Sequence, residues 1–323
     1  QPDSATGQLG PTLDMRGTWD HPDVAGTIRV QDGAATVTPL GIRMQGINAD
    51  IALFGHSDSL AIRRIVAWSG TGPADSVLLR GYVAYRELDN PYFSLRLDAR
   101  TFHALDRRTL ARLDVSTEPD GMRLCGPLRG ATLTGGLVVD RGTIFLPDPE
   151  VARTRRVDLT WQFGDTAASI RNALPQPSSR LMESLLMEDV RVTLGDEVRL
   201  VSTEADIKLA GSLTVQRVRE RVSSMGFGGL EGDSVRYRPL LDGVLRAEGG
   251  TYNLALGYAT IQREFDVEGG TITFYPVAGL DPVLDISAVH TGRTEQSDIR
   301  VRVLLTGTVA TPISLVIHFA NAT

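Results

Sequence analysis

Histidine, cysteine and acidic residues are the side chains of this 323-residue chain that could perform metal, nucleophilic or acid–base chemistry. The five histidines, His21, His56, His103, His290 and His318, are far apart in the sequence. They form neither an H-E-x-x-H nor an H-x-H pattern, the spacings that bring two imidazoles to one zinc ion. We therefore expect no metal site, with ligands drawn from distant strands as the remaining alternative.

Nucleophilic and nucleotide chemistry have equally little support. Cys125 is the only cysteine, which excludes an internal disulfide and a cysteine cluster. In the run RLCGPL it is typical of a small packed hydrophobe, and no G-x-S-x-G elbow is present. The glycine-rich run at residues 226–232 misses the G-x-G-x-x-G spacing because Glu231 occupies the third position.

Paired carboxylates offer the last catalytic option. Asp281 and Asp285 could mimic a glycosidase pair, which needs two carboxylates about 5–10 Å apart. Asp285 also fits the polar face of a strand, and this simpler interpretation is favoured. We expect no catalytic residue and no cofactor, and the chain is not expected to be an enzyme.

Composition excludes further classes. The chain has 33 basic and 39 acidic residues, whereas nucleic-acid binding favours strongly basic domains. No segment approaches the roughly 18 consecutive apolar residues of a membrane-spanning helix. The N-terminus QPDSATGQLG lacks the apolar region of a signal peptide, and we expect the chain to be a fragment of a longer protein.

Residues 243–288 show most clearly the sequence pattern from which the fold of the chain is predicted. Apolar and polar residues alternate there with a period of two, which places each set on one face of a strand. Glycine pairs at 249–250 and 269–270 and the run from Pro276 to Pro282 predict turns between the strands. The apolar positions are Leu245, Ala247, Tyr252, Leu254, Leu256, Phe265, Val267, Ile272, Phe274, Leu284, Ile286 and Ala288.

The same alternation recurs along the chain. Residues 17–99 contain five runs of about 5–8 residues, the usual length of a strand, and residues 190–215 and 299–319 alternate in the same way. These runs predict an all-β protein, an antiparallel sheet of roughly twenty short strands. One helix is predicted near 101–113, where Phe102, Leu105, Leu110 and Leu113 approximate helical spacing and Thr101 could cap the first turn.

Four regions follow from these patterns. Residues 1–16 are predicted to be a flexible N-terminal segment and residues 17–163 a repeat-like β region containing the helix. Residues 164–180, with two prolines and little alternation, are predicted to be a loop or boundary. Residues 181–323 form a second β region, in which 216–232 is expected to be a solvated loop, or alternatively a contact for lipid head groups.

An alternating sheet of this length has an apolar face that must be covered, and a single helix cannot cover it. Either the sheet closes on itself as a sandwich or barrel, or its apolar face lines an internal groove. The residues alone favour neither solution.

The runs GVLRAEGGTYNLALG, FDVEGGTITF and DPVLDISA resemble the C-terminal domain of the TamB family, the inner-membrane-anchored subunit of the translocation and assembly module. The resemblance is specific over about residues 184–319 and looser over 17–147. It implies an elongated envelope protein whose curved sheet, of the β-taco type, holds a hydrophobic groove. The expected groove residues are Leu245, Tyr252, Leu254, Leu256, Phe265, Val267, Ile272, Phe274, Leu284, Ile286, Val301, Val303 and Leu305.

The resemblance also implies location, cargo and partner. We expect a protein of the periplasm of a diderm bacterium, anchored to the inner membrane by a segment outside this fragment. Its cargo would be phospholipid acyl chains or unfolded outer-membrane β-strands, and its partner a TamA- or BamA-like barrel protein of the outer membrane. A structural or adhesive β-solenoid stalk without cargo is the competing hypothesis, and an enzyme acting on a polymer is third.

The last strand-like run, ISLVIHF, is the predicted docking edge. It carries neither lysine nor internal proline nor any formal charge, the features by which proteins protect an open strand edge. We therefore expect a partner strand to add here, along the edge formed by Ile313, Leu315, Ile317 and Phe319.

Overall fold

The structure is a computed structural model of the chain. It describes residues 5–17, 22–38, 40–70, 72–145, 181, 184–225, 231–255, 262–276, 281–293, 298–308 and 312–321.

The described residues form one sheet of sixteen strands, which confirms the predicted all-β, curved antiparallel class. Two single 3-10 turns, Gly55–Ser57 and Leu128–Gly130, lie between strands. The strands are β1 (Ala5–Gly17), β2 (Pro22–Val37), β3 (Ile42–Phe54), β4 (Ser59–Trp68), β5 (Ser76–Ala84), β6 (Tyr92–Arg100), β7 (Phe102–Arg107), β8 (Ala111–Pro127), β9 (Thr132–Phe145), β10 (Leu186–Val201), β11 (Ala205–Met225), β12 (Glu231–Ala255), β13 (Gln262–Phe274), β14 (Val283–Arg293), β15 (Asp298–Thr308) and β16 (Pro312–Asn321).

The order of the strands in the sheet follows the chain, except that β7 lies off the main path and that one pair of neighbours is parallel. The path runs from β1 to β6, continues through β8, and ends at β16, while β7 pairs with β8 alongside β6. Strands β9 and β10 pair in parallel, whereas the other pairs are antiparallel. The sheet is therefore continuous from β1 to β16.

Alternation explains why these segments are strands. In β12, Leu245 and Ala247 are buried while Arg246 and Glu248, which alternate with them, are exposed, as a half-buried pleated surface requires. The apolar side chains of neighbouring strands then align into rows across the sheet.

The predicted strand length was wrong, and the described residues contain sixteen strands. Several strands have 13 or more residues, and β12 has 25, so runs expected to be separate strands belong to one. The glycine pairs 249–250 and 269–270 lie inside β12 and β13 rather than in turns. A Cβ on Gly250 would lie 2.1 Å from the carbonyl oxygen of Asp206, and its φ is +124°. Glycine here permits close approach of the neighbouring backbone within the strand.

The helix predicted near 101–113 was also wrong. Phe102–Arg107 is strand β7, residues 108–110 turn, and β8 begins at Ala111. Thr101 has a φ of +42° and separates β6 from β7 instead of capping a helix. Pairing with β8 outweighs the weak helical spacing, since Asp106 faces Arg112 and receives a 2.8 Å hydrogen bond from its Nε.

Residues 216–225 and 231–232 are strand rather than the predicted solvated loop, and residues 226–230 lie outside the described residues. β11 continues to Met225, β12 starts at Glu231, and the two form a long hairpin with 21 and 25 residues in its strands. The guanidinium of Arg217 lies 5.1 Å from the ring centroid of Tyr237 and donates a 3.0 Å hydrogen bond to the carbonyl of Leu185. Burial lowers the pKa of Arg217.

The predicted loop or boundary at 164–180 and the last residues of the first predicted β region, 146–163, lie outside the described residues. The division into regions at these positions stays a prediction.

Candidate functional site: the apolar face of the sheet

Apolar residues on neighbouring strands face one another across the C-terminal part of the sheet. Leu245 on β12 pairs with Ile272 on β13, and Ile272 pairs with Leu284 on β14. On the next row, Ile286 pairs with Leu305 of β15. The register therefore joins the alternating strands into one apolar surface that runs across β11–β15.

This surface is packed tightly. Phe265 and Val303 are each only 2% exposed. The buried cluster comprises Ile207, Leu209, Leu245, Ala247, Phe265, Val267, Ile272, Ile286, Ala288 and Val303, with Tyr252, Phe274, Leu284, Val301 and Leu305 among the partly buried residues packed against it.

Curvature produces this packing. Ile207 on β11 and Val303 on β15 would be separated by about 19 Å on a flat sheet, since neighbouring strands are about 4.8 Å apart. Both nevertheless line one apolar cavity of about 20 Å³. Tyr252 lines the same cavity, and burial, followed by the charge of Glu204, raises the pKa of its phenol. The sheet therefore curls so that side chains on distant strands meet.

The N-terminal half of the apolar face is more open. An apolar pocket of about 160 Å³ is lined by residues of β5, β6, β8 and β9. Leu97 pairs with Leu79 and with Met122, and Leu124 pairs with Leu133, so these strands contribute adjacent side chains. The lining residues are Leu79, Leu95, Leu97, Met122, Leu124 and Leu133.

The opposite face of the sheet is polar. Lys208 Nζ lies 3.0 Å from a carboxylate oxygen of Glu248, and Arg199 Nε lies 2.7 Å from one of Asp206. Glu268 receives hydrogen bonds from both Arg300 and Arg302. Exposed ion pairs of this kind contribute little to stability, but they keep this face hydrated.

A polar network lies where β7, β8 and β9 meet. His103 Nδ1 is 2.6 Å from Asp114 Oδ1, and Arg141 donates a hydrogen bond from Nε to the other carboxylate oxygen. Burial acts to raise the pKa of Asp114, but hydrogen bonds from Arg141 and His103 outweigh burial and lower it. The Ser69 hydroxyl, fully buried, donates a 2.7 Å hydrogen bond to the carbonyl of His103. The network joins β7 to its neighbours and to the start of the β4–β5 turn.

β7 also contacts the turn between β2 and β3. The amide of Asp106 donates a 2.9 Å hydrogen bond to the carbonyl of Leu40, and Arg107 Nη1 donates a 3.0 Å hydrogen bond to the carbonyl of Thr38. Strands β4, β5 and β6 separate β3 from β8, the strand with which β7 pairs, in the strand order. We call this contact between β7 and residues 38 and 40–41 of the β2–β3 turn the rim clasp.

Two further histidines have separate partners. His56 lies 2.7 Å from Asp23, and His290 Nδ1 lies 2.7 Å from the carbonyl of Glu264. Within the described ranges, no group of three or more His, Cys, Asp or Glu residues is arranged to hold a metal ion. In those ranges, too, no helix has the length and apolar character needed to cross a membrane.

Most of the predicted groove residues lie on this apolar face, but the groove assigned to them stays a prediction. Leu256 and the side chain of Leu254 lie outside the described residues. The predicted docking edge belongs to β16, which pairs with β15 and ends the strand order, and the side chains of Ile313, Leu315, Ile317 and Phe319 are not described.

The open pocket was absent from the predicted site. Its signal was present in the alternation of YFSLRLDA, where Leu95 and Leu97 stand two residues apart. The sequence did not show which strands place further apolar residues beside Leu95 and Leu97. β7 follows β6 in the chain, but the strand that pairs with β6 is β8.

Comparison of the sequence with protein-family models gives a match that is consistent with the long apolar face and the open, curved sheet. A family model, the TamB C-terminal domain, matches residues 70–227 and 229–320. The chain belongs to the TamB family. The match extends well beyond the residues that carried the specific resemblance, into the strands that line the open pocket. A search of curated proteins finds no match. TamB proteins belong to the cell envelope and to a family of transport and assembly.

Proposed function

We propose that this chain is a periplasmic section of a TamB-type conduit, anchored to the inner membrane, that conducts amphipathic cargo between the inner and outer membranes without catalysis. The cargo is phospholipid acyl chains or unfolded outer-membrane β-strands. The observation that supports this proposal is the continuous apolar face, with an open pocket of about 160 Å³ in its N-terminal half. Apolar surface that is concave and accessible is the usual form of a site for apolar ligands.

Cargo enters the C-terminal half only if the sheet widens. The cavity between β11 and β15 is about 20 Å³, which is enough for about one water molecule. The strand order is an open path from β1 to β16 rather than a closed ring. A change of curvature can therefore separate the packed side chains without breaking the hydrogen-bonded ladders between strands, which is the reason an open sheet suits a conduit better than a barrel.

The outer-membrane partner in this proposal is a TamA- or BamA-like barrel protein. In this proposal β16 is the docking strand. Among the described strands it pairs with β15 alone, and a further strand can add to the other edge of β16 through main-chain hydrogen bonds.

Native mass spectrometry of the protein purified without detergent tests cargo binding. We expect phospholipid to remain bound, and Leu97→Asp to remove it, since a carboxylate in the open pocket opposes acyl-chain binding. Reproducible absence of both phospholipid and unfolded-strand complexes from the wild-type protein would reject conduction.

The second candidate function is a structural stalk with a packed core and no cargo. The tightly buried cluster around Phe265 and Val303 favours it, because such packing resembles an ordinary protein interior. The stalk predicts that the open pocket binds nothing, so the same measurement separates the two candidates.

A further inference from the structure

Five arginines form a row across the polar face of the N-terminal half. Arg80 on β5 lies directly opposite Arg96 on β6, and Arg96 lies directly opposite Arg123 on β8. On β4, the register shift between Ile62 and Ile65 sets Arg63 and Arg64 across from Arg80. Arg96 is half-buried and the other four are exposed. We call these five residues the arginine row.

The row does not stabilise the sheet by itself. Directly opposed residues have their Cβ atoms about 4.5–5.5 Å apart, and like charges at that separation are destabilising. The chain as a whole has a net charge of −6, so a general excess of positive over negative residues does not explain why the arginines lie side by side. A cluster of like charges on an exposed sheet face is accounted for if it meets a ligand of opposite charge.

Acidic residues of the chain neutralise only part of the row. Asp98 receives a 3.0 Å hydrogen bond from Arg96 Nε, and the charge of Asp120 also acts on Arg96. Asp50 lies 3.9 Å from Arg63. Within the described part of the chain, Arg80 and Arg123 form no ion pair, and their guanidinium groups remain available at the surface.

The surface beside the row favours a protein partner over a membrane. Tyr82, two residues from Arg80 on β5, stacks on Tyr92 with ring centroids 6.5 Å apart, and both are exposed. Tyrosine and arginine are the residues enriched at the energetic centres of protein interfaces. The β5–β6 turn next to Tyr92 carries Glu87 and Asp89, which an anionic bilayer would repel.

We propose that the arginine row, together with Tyr82 and Tyr92, docks an acidic helical segment of a partner protein. Successive arginines along the row are separated by about 4.8 Å, the spacing of adjacent strands. Glutamates at positions i and i+4 of a helix have their Cβ atoms about 5–6 Å apart, so one acidic stripe can meet several guanidinium groups at once. The site lies on the face opposite the apolar face and is independent of any cargo.

Cys125 provides a reporter for this site. It is the only cysteine of the chain, it is exposed, and it pairs with Ser94 on the same face as Arg123, two residues away. The protein is labelled there with an environment-sensitive fluorophore and titrated with a synthetic helical peptide that carries glutamate at every fourth position.

We expect saturable binding that weakens as salt is raised, since the contacts are between exposed charges. The double variant Arg80→Gln with Arg123→Gln should bind at least tenfold more weakly. The matched control is Arg246→Gln, which removes an exposed arginine from the same face on β12 and should leave affinity unchanged. The thermal midpoint of the double variant should be no lower than that of the wild type, because only like-charge repulsion is removed.

Four results would overturn the proposal. The first is equal affinity for a peptide of the same composition with its glutamates scattered around the helix. The second is tighter binding of phosphatidylglycerol vesicles or inorganic polyphosphate than of the acidic peptide. The third is unchanged affinity of the double variant for the acidic peptide. The fourth is a lowered thermal midpoint of the double variant, which would assign the arginines a structural role.

Discussion

At the scale of single residues, Asp114 illustrates how the polar network tunes one carboxyl group. Burial alone would raise its pKa, but hydrogen bonds from Arg141 and His103 lower it. A carboxyl group whose pKa is depressed by folding stabilises the protein above its unfolded value of about 3.9. That contribution is lost as the pH falls through the lower pKa of the folded state.

We therefore predict that Asp114→Asn lowers the free energy of unfolding at pH 7. The difference in unfolding free energy between the variant and the wild type should become smaller below about pH 4. Urea unfolding midpoints at pH 7, 5, 3.5 and 2.5 measure this. The control is Asp89→Asn, because Asp89 is 68% exposed and pairs with Arg129 at the surface; its effect should stay within about 0.5 kcal/mol. If the unfolding midpoints of Asp114→Asn and the wild type differ by the same amount at every pH, the stabilising role given to the lowered pKa of Asp114 is contradicted.

At the scale of elements, the rim clasp holds β7 against the β2–β3 turn. Gly41, in the β2–β3 turn, has a φ of +70°, and a Cβ on it would lie 2.1 Å from the carbonyl oxygen of Asp106 on β7. The clasp therefore depends on a position that tolerates glycine alone. It joins two elements that the strand order separates.

Replacing this glycine should loosen the clasp. We predict that Gly41→Ala costs roughly 1–3 kcal/mol of unfolding free energy, from backbone strain and the contact with β7. Gly72→Ala is the control, since a Cβ at Gly72, in the nearby β4–β5 turn, meets no atom within 4 Å. Equal unfolding midpoints in urea for the two variants would show that the clasp contributes nothing.

The edge of β16 supports a separate prediction about partner docking. Val316 pairs with Leu304 of β15. Proline removes a backbone donor, whereas Leu315→Glu changes only a side chain. In the full-length protein, we predict that Val316→Pro reduces crosslinking to the outer-membrane barrel partner more than Leu315→Glu at matched stability. Undiminished crosslinking in a folded proline variant would exclude this edge as the docking site.

At the scale of the whole molecule, the two halves of the apolar face differ in how much space they leave. Ile286 lines the small cavity between β11 and β15 and is 5% exposed, whereas Leu97 lines the larger open pocket. One curved sheet thus combines a packed interior with an accessible one. Substitutions that place a charge in each half test this difference directly.

We predict that Ile286→Asp lowers the free energy of unfolding by roughly 3–5 kcal/mol, the cost of an unpaired buried charge. Leu97→Asp should cost less, because water can reach its carboxylate, and should still reduce bound phospholipid. Circular-dichroism melts and native mass spectrometry measure the two effects, with Leu97→Ala as an apolar control. Unfolding by both aspartate variants alike would favour the stalk over the conduit.

The sequence by itself determined which face of each strand is apolar, because alternation is a local property of an extended backbone. Leu245, Ile272 and Ile286 were assigned to one face from their spacing, and the structure places all three in the buried cluster. The all-β class followed from the same pattern. The TamB family was indicated by short motifs in the region of that cluster and is shown by the family match over most of the chain.

Only the tertiary structure decided where strands end and which strands are neighbours. Gly249 and Gly250 lie within β12 because neighbouring strands pair on both sides of it, and residues 102–107 form a strand because β8 pairs with them. The size of each cavity depends on curvature, which sums small twists over many strands. The arginine row depends on register, since Arg80, Arg96 and Arg123 are distant in sequence and meet only when β5, β6 and β8 align.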